Sequence, residues 1–304
     1  MRKVTFGVNL PDRSDYPEIR RVAIESERLG YSRAWYCDHI WSRSPECWSL
    51  FAALAKETER IRFGSAVTCN LWREPAMTAK LVASVDVMSG GRVEFGIGAG
   101  HTKAEYDMYG IRFPRFKQRM EMLEEAVVIT KSLWTQKSTS YQGKYYVLKD
   151  AFCEPQPVQK PHPPIMIGGG GLTATPAIAA KYADSYNPNA DALSPAKAKV
   201  YLDALDRECA KVGRNPEEIE KIWYGRFFVS SDIDRVELVK RQLGEKLDES
   251  IAGTADECIE KVRAFVDLGF SHFILYTTPF YRVFSLDPLP TLEYFADKVA
   301  SDFR

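Results

Sequence analysis

The chain lacks the cysteine pairings that mark a disulfide scaffold or a zinc finger. Its six cysteines are scattered among 304 residues, and no CxxC pair occurs. This spacing is typical of free thiols in a reducing cytosol. We therefore expect a cytoplasmic protein whose cysteines stay unpaired; they are Cys37, Cys47, Cys69, Cys153, Cys209 and Cys258.

Long apolar runs and an excess of charge are also missing. No apolar segment reaches the roughly 18 residues of a membrane span, and the apolar part of MRKVTFGVNLPDR is too short for a signal peptide. Lys+Arg and Asp+Glu both number 41, so the formal net charge is zero. This balance gives no reason to expect nucleic acid or a membrane as a partner, and a small-molecule substrate is expected instead.

Several hydrolase motifs are absent as well. The sequence has no HExxH or HxH spacing, so no catalytic metal centre is expected. It has no GxSxG, so neither a serine nor a cysteine lies in a nucleophile elbow. The four glycines before LTATPAIAAKY are not followed by GK[ST], and GIGAG has the spacing GxGxG rather than that of a dinucleotide fold.

Strand and helix patterns alternate along the whole chain. Eight strand–helix units in about 300 residues predict one (β/α)8 TIM barrel over residues 1–304, with a doubly wound sheet as the alternative. The predicted strands are Val4–Leu10, Ser32–Asp38, Ile61–Cys69, Val93–Gly98, Pro163–Ile167, Asp184–Asn187, Ile222–Val229 and Ser271–Thr277. The predicted helices are Tyr16–Leu29, Cys47–Glu59, a helix from Pro75 to the Gly90-Gly91 stop, Phe116–Trp134, Thr175–Tyr182, Pro195–Val212, Arg235–Leu247, Asp256–Leu268 and Leu292–Phe303.

One stretch is too long for a simple loop of a barrel. Ser138–Pro164 contains SYQGKYYVL, which predicts a hairpin turning at Gln142-Gly143, and then EPQPVQKPHPP with five prolines. We interpret it as an excursion before strand five. His162, inside the proline run, is expected to be exposed.

The fourth strand ends in glycines followed by titratable groups. Gly96, Gly98 and Gly100 occupy alternate positions, and His101 and Glu105 come soon after. In a TIM barrel the carboxyl ends of the strands carry the active site. Glycines there would let a ligand approach the backbone closely.

The second strand ends in WYCDHIW. His39 can exchange a proton near neutral pH, and Asp38 beside it can orient it or its surroundings. Trp41 could form an aromatic wall over a planar ligand. The alternative is a capping Asp beside a structural His. His272 begins the eighth strand, at the stability face of the barrel, and is expected to be structural.

Two further strand ends carry candidate binding groups. The third strand ends in GSAVTCN, where small residues leave room for a bulky group to lie against the backbone. Thr68 and Asn70 offer hydrogen bonds there. The alternative is that the small residues serve tight packing between strand and helix. The fifth ends in Gly168, Gly169, Gly170 and Gly171 before a helix, a sequence that predicts an anion site at a helix N-terminus.

These residues together resemble the bacterial-luciferase-like superfamily, nearly end to end. The resemblance is strongest in CDH, in PAMTAKLVASVDVMSGGRVEFGIGAG, in EYDMYGI and in CEPQPVQKPHPPIMIGGGG. The subgroup that the chain resembles most is that of the probable deazaflavin (coenzyme F420)-dependent oxidoreductases. Monooxygenases that use FMN share most of these motifs.

The resemblance implies a TIM barrel with a flavin or deazaflavin in its C-terminal mouth. A bulged third strand would back the ring through a non-prolyl cis peptide, expected at Ser65–Ala66, and Gly168–Gly171 would contact the phosphate. His39 matches the residue that transfers the proton in the deazaflavin dehydrogenases. His101 stands where those enzymes have Glu, and Trp41 is closer to the His than their active-site Trp.

The sequence therefore predicts hydride transfer between coenzyme F420 and an organic substrate, with His39 and Asp38 as the catalytic pair. Binding of the cofactor is expected from Ser65, Ala66, Thr68, Gly98, Gly100 and Gly168–Gly171, and the substrate pocket from Trp41, Asn70, His101 and Glu105. The alternatives are an FMN-dependent monooxygenase and a non-catalytic flavin-binding protein. Apolar stretches on the early helices further predict a homodimer.

Overall fold

The computed structural model describes residues 2–188, 193–276 and 287–303. Strands and helices alternate along these ranges. The strands are β1 Thr5–Asn9, β2 Arg33–Tyr36, β3 Arg62–Ser65, β4 Thr68–Cys69, β5 Val93–Gly98, β6 Thr139–Gln142, β7 Val147–Ala151, β8 Ile165–Gly168, β9 Ser185–Asn187, β10 Glu220–Val229, β11 Ile251–Gly253 and β12 Phe270–Tyr276. The helices are α1 Tyr16–Arg28, α2 Cys47–Glu57, α3 Pro75–Ser89, α4 Lys103–Met108, α5 Phe116–Thr135, α6 Ala174–Tyr182, α7 Pro195–Val212, α8 Ile233–Leu243, α9 Ala255–Asp267 and α10 Leu289–Lys298.

Eight parallel strands close into a barrel. The order is β1-β2-β3-β5-β8-β9-β10-β12, and β12 pairs with β1 to complete the circle. Register pairs such as Gly7↔Arg33 and Phe95↔Ile165 hold neighbouring strands together. The predicted TIM barrel is confirmed, and the doubly wound sheet is excluded because an open sheet has no such closure.

The excursion before the fifth barrel strand, which is β8, is an antiparallel hairpin, as predicted. β6 pairs with β7, and Gln142 faces Val147 across the turn. The Glu125 carboxylate on α5 accepts the N–H groups of Lys144, Tyr145 and Tyr146. One acidic side chain thus anchors the tip of the hairpin to α5.

All eight predicted barrel strands exist, and most differences lie at their ends. Predicted Thr277 falls outside the described residues. Two predicted helices end in 3-10 turns, since Arg235–Leu247 is α8 followed by Gly244–Leu247, and Leu292–Phe303 is α10 followed by Ala300–Phe303. The short elements α4 and β11 were not predicted, because neither is long enough to show periodicity.

The third strand is split by a bulge, which is placed one residue later than predicted. The non-prolyl cis peptide joins Ala66 to Val67, so the expectation of a cis bond at Ser65–Ala66 is wrong. Ser65 still belongs to the ladder: it faces Tyr36, its hydroxyl donates to Gly96 O (2.7 Å), and its Oγ accepts from Gly96 N (3.1 Å). The chain therefore leaves the sheet only after Ser65 and rejoins it at Thr68.

The barrel interior is filled by large side chains. Trp35, Met166, Ile222, Tyr224 and Ile274 form one buried cluster. A Cβ on Gly64 would lie 2.3 Å from the Trp35 ring, so the room left by this small residue is filled by tryptophan. Packing thus explains Gly64, but the contact is with Trp35 of the neighbouring strand β2 and not with a helix as the alternative had it.

The two histidines away from the site are both buried. His272 Nε2 accepts the Trp35 indole N–H (2.9 Å), its Nδ1 lies 2.8 Å from Thr5 Oγ1, and burial lowers its pKa well below the ordinary value. It is structural, as predicted. The expectation that His162 is exposed is wrong, because its ring packs 6.4 Å from the Trp134 ring and only 8% of the residue is exposed.

Helix ends follow the local chemistry of the chain. Asp15 caps α1 by accepting the N–H of Glu18, Pro75 opens α3, and Gly90 closes it in the left-handed conformation at φ 68°. Thr254 and Glu257 form a reciprocal capping box at α9. Over the described residues, no helix has the length and apolarity that a membrane crossing requires.

Candidate active site

A cavity of about 410 Å³ lies at the carboxyl ends of the barrel strands. This volume is within the range of small-molecule sites. Of the predicted site residues, it is lined by Asp38, His39, Ala66, Gly98, Gly100, His101, Glu105, Gly168, Gly169 and Gly170. Predicted residues from four different strand ends therefore meet at one place, as the barrel interpretation requires.

His39 is held by a buried carboxylate. Its Nδ1 lies 2.8 Å from Glu105 Oε2, while the other oxygen, Oε1, accepts the Trp41 N–H at 3.3 Å. Glu105 is only 1% exposed, whereas the His39 side chain is partly exposed to the cavity. Glu105 was predicted to line the substrate pocket; the structure brings it against the candidate proton carrier.

Asp38 has a different partner. Both terminal nitrogens of Arg73 donate to its carboxylate, at 2.6 and 3.1 Å, and Arg73 also forms an ion pair with Glu46. Burial raises the pKa of Asp38, and the Arg73 guanidinium opposes that rise. Asp38 is therefore held by Arg73, and among the hydrogen bonds of the described residues it makes none with the imidazole ring of His39.

The glycines at the strand ends serve packing as well as access. A Cβ on Gly96 would lie 1.9 Å from Ser65 O, and a Cβ on Gly98 would lie 2.7 Å from Val67 Cγ2. Gly100 has φ 77°, a conformation that glycine adopts readily. The bulge of the third strand thus occupies the space that was expected to admit the ligand, and the ligand would meet Ala66 and Val67, which line the cavity.

The aromatic wall of the cavity comes from Trp72 and Tyr106. Their rings stack at a centroid distance of 4.1 Å and both line the cavity. The Trp72 indole N–H donates to Asp38 O (2.8 Å), and the Tyr106 hydroxyl contacts the Cys69 thiol. The sequence drew attention to Tyr106 after the fourth strand but included neither residue in the predicted site; the signal for Trp72 was its position three residues after β4.

Arg119 supplies a positive charge that the sequence interpretation also missed. It lies in the second turn of α5 and lines the cavity. Its Nη1 donates to Pro114 O (2.9 Å) and its guanidinium stacks on Phe113 (3.9 Å), but Nε is buried without a hydrogen-bond partner. No carboxylate of the described chain lies within ion-pair distance of Arg119, so the guanidinium gives the cavity that it lines a positive charge without a carboxylate partner.

Five predicted binding residues do not line the cavity. Ser65 holds β3 to β5, Thr68 accepts the Trp48 indole N–H (3.1 Å), and Asn70 donates to Tyr146 Oη (3.2 Å) in a neighbouring groove. Trp41 is 38% exposed with its ring 6.4 Å from that of His39, and Gly171 lies just beyond the lining glycines. These five residues thus lie outside the cavity lining.

The cavity fits a flat, anionic ligand better than a metal ion. In the part of the chain that the structure describes, no group of three or more His, Cys, Asp or Glu is arranged to hold a metal. The bulge with its non-prolyl cis peptide and the aromatic stack provide flat surfaces, while the Arg119 guanidinium and Thr175 near the start of α6 provide polar groups. A flavin or deazaflavin, which combines a planar ring with a phosphate, has the features that these residues would accommodate.

Comparisons with known proteins agree with this geometry. An F420-dependent glucose-6-phosphate dehydrogenase from Microbacterium testaceum is 27% identical, covering 90% of this chain and 93% of the relative. An FMNH2-dependent dimethylsulfone monooxygenase from Pseudomonas putida is 28% identical over 71% of this chain and 58% of its own length. The solved structure of coenzyme F420-dependent tetrahydromethanopterin reductase from Methanopyrus kandleri has the same fold, with a TM-score of 0.85, 21% identity and complete coverage of both chains.

A family model described as luciferase-like monooxygenase matches residues 4–247, which include every residue that lines the cavity except Tyr276. Fold, cavity and sequence match agree, and the chain belongs to the luciferase-like monooxygenase family.

Proposed function

We propose that the protein is an oxidoreductase that transfers a hydride between coenzyme F420 and an organic substrate, with His39 carrying the proton. The observation that carries the proposal is the His39–Glu105 contact inside the cavity. A histidine with one ring nitrogen on a buried carboxylate keeps the other for proton exchange. The named relatives that use F420 support the choice of cofactor.

The residues of the chain have separable tasks in this proposal. The cofactor, when bound, supplies the hydride chemistry. Ala66 and Val67 would support its ring, and Arg119 with Gly168–Gly170 and Thr175 would hold its anionic part. His39 accepts or donates the substrate proton, and the Trp72–Tyr106 stack helps to exclude water from that exchange.

We expect F420 to bind at least about tenfold more tightly than FMN, a difference of about 1.4 kcal/mol. The expectation follows from the relatives, because a planar ring and a phosphate are common to both cofactors. Titrating the protein with each cofactor and following ligand fluorescence gives the two dissociation constants. Micromolar binding of FMN with no binding of F420 would favour the monooxygenase instead.

The FMN-dependent monooxygenase is the second candidate, and the similarity to the dimethylsulfone enzyme favours it. Anaerobic reduction of the bound cofactor, followed by air and a panel of substrates, separates the candidates. Oxygen-independent reoxidation by substrate supports the hydride-transfer proposal. Oxygen-dependent product formation supports the monooxygenase, and reoxidation without any product supports a non-catalytic flavin-binding protein.

We also propose a symmetric homodimer that forms through the outer face of α3. Leu50, Phe51 and Leu54 are buried inside the chain and are unavailable, but Met77, Val87 and Met88 are exposed on α3. Light scattering at micromolar concentration is expected to give twice the 34.5 kDa of one chain. Met88→Lys should shift the protein toward the monomer, and a wild-type mass of one chain would reject the proposal.

A further inference from the structure

We infer that Glu105 is a positioning residue, which fixes the tautomer and the orientation of His39. The inference rests on the proposed role of His39 and adds a second residue to it. Glu105 lies on the short helix α4, and His39 lies on the loop after β2. The contact therefore joins two segments that are 66 residues apart in sequence.

The helix α4 region holds the His39 loop at three points. Glu105 Oε2 contacts His39 Nδ1, Glu105 Oε1 accepts the Trp41 N–H, and the Tyr109 hydroxyl donates to Ile40 O (2.8 Å). Glu105 and Tyr109 are four residues apart, so they occupy neighbouring positions along one side of the helical segment. Three consecutive loop residues are thus fixed, and His39 is the first of them.

The charge of Glu105 explains what the contact does. The carboxylate is almost fully buried, and its Oε2 lies 2.8 Å from His39 Nδ1. A buried carboxylate needs donors, and Trp41 N–H supplies one at 3.3 Å. The second must come from His39, so the neutral imidazole carries its proton on Nδ1 and its lone pair on Nε2.

The surroundings of His39 leave Glu105 as the group that sets this tautomer. The His101 ring lies 5.6 Å away in an edge-on arrangement, and the Trp41 ring lies 6.4 Å away. Asp38, the sequence neighbour, is bound by Arg73 instead. Glu105 is therefore the carboxylate that acts on His39, although Asp38 is adjacent in the sequence.

The test compares Glu105→Ala, Glu105→Gln and the surface control Asp107→Asn on the same helix. Nitrogen-15 NMR of the labelled imidazole reports the tautomer of His39 without any need for substrate. We expect the Nδ1–H form in the wild type, in Asp107→Asn and in Glu105→Gln, whose amide oxygen still accepts. We expect a mixture of tautomers in Glu105→Ala.

Turnover supplies the second readout. Glu105→Ala should lower kcat by about 10²-fold with the cofactor Kd unchanged, because the imidazole is no longer held in the reacting geometry. Glu105→Gln should recover part of that loss. An unchanged tautomer in Glu105→Ala, or a changed tautomer with full kcat, overturns the inference. If the alanine variant does not fold, Glu105→Met, which fills the space without an acceptor, takes its place: a mixture of tautomers with a lowered kcat supports the inference, and an unchanged tautomer or full kcat overturns it. If His39→Ala retains full turnover, the proposed function fails, and the tautomer measurement still stands by itself.

Discussion

Replacing His39 with alanine is expected to lower turnover by about 10²–10⁴-fold while leaving the affinity for the cofactor nearly unchanged. General acid–base catalysis by a positioned side chain contributes an effect of this size. His39 lies on the loop after β2, whereas Arg119, which is proposed to hold the anionic part of the cofactor, lies on α5. The variant should therefore lose turnover without losing affinity for the cofactor. Steady-state kinetics and a cofactor titration measure the two quantities.

Added imidazole provides the control for His39→Ala. A small base can occupy the space left by the ring, so turnover should rise with imidazole concentration in the variant and stay constant in the wild type. Recovery would show that the loss arises from the missing base rather than from a disturbed loop. Full turnover in His39→Ala without imidazole would remove this residue from the mechanism.

Arg73→Met is expected to lower the free energy of unfolding by about 3–5 kcal/mol. Removing one partner of a buried ion pair leaves the other charge uncompensated, and that cost is of this order. The Asp38 side chain is 1% exposed, and its carboxylate accepts hydrogen bonds from both terminal nitrogens of Arg73. Chemical denaturation followed by circular dichroism gives the free energy of unfolding.

Two controls accompany Arg73→Met. Arg60→Met removes an arginine whose pair with Glu59 is exposed and 3.9 Å long, so a change of at most about 1 kcal/mol is expected. Asp38→Asn combined with Arg73→Met should recover part of the loss, because no buried charge remains. The destabilisation should also shrink as pH falls and the unpaired Asp38 becomes protonated. A loss no greater than that of Arg60→Met would contradict the prediction.

Hydrophobic periodicity was sufficient to predict the barrel from the sequence. Each barrel strand is short and apolar because helices cover the sheet, and turn signals such as Gly30 and Gly90 separate the elements. The strand ends then place their residues in one cavity, which is why His39, His101 and Glu105 were found together. The position of a residue at a strand end is a property of the fold, so it can be deduced without side-chain contacts.

The partners of each residue could not be deduced in the same way. Glu105 was expected to face substrate and contacts His39, while Asp38, the neighbour of His39, is bound by Arg73. These pairings depend on how α4 and the loop after β4 fold back over the mouth. Arg119 was missed because an arginine at the start of an amphipathic helix resembles any exposed cation, and its burial arises only in the packed structure.

The bulge of the third strand has a consequence for how the site can evolve. Val67 fills the space beside Gly168, where a new Cβ would lie 2.6 Å from Val67 Cγ1 and 3.8 Å from its Cβ. A side chain at position 168 therefore clashes as long as valine occupies position 67. Once Val67 is replaced by alanine, the nearest atom is its Cβ at 3.8 Å, which is an ordinary van der Waals contact. Replacement of Val67 by a smaller residue must therefore come before replacement of Gly168, because the reverse order produces a clash. Evolution of a reshaped cofactor pocket would start at Val67.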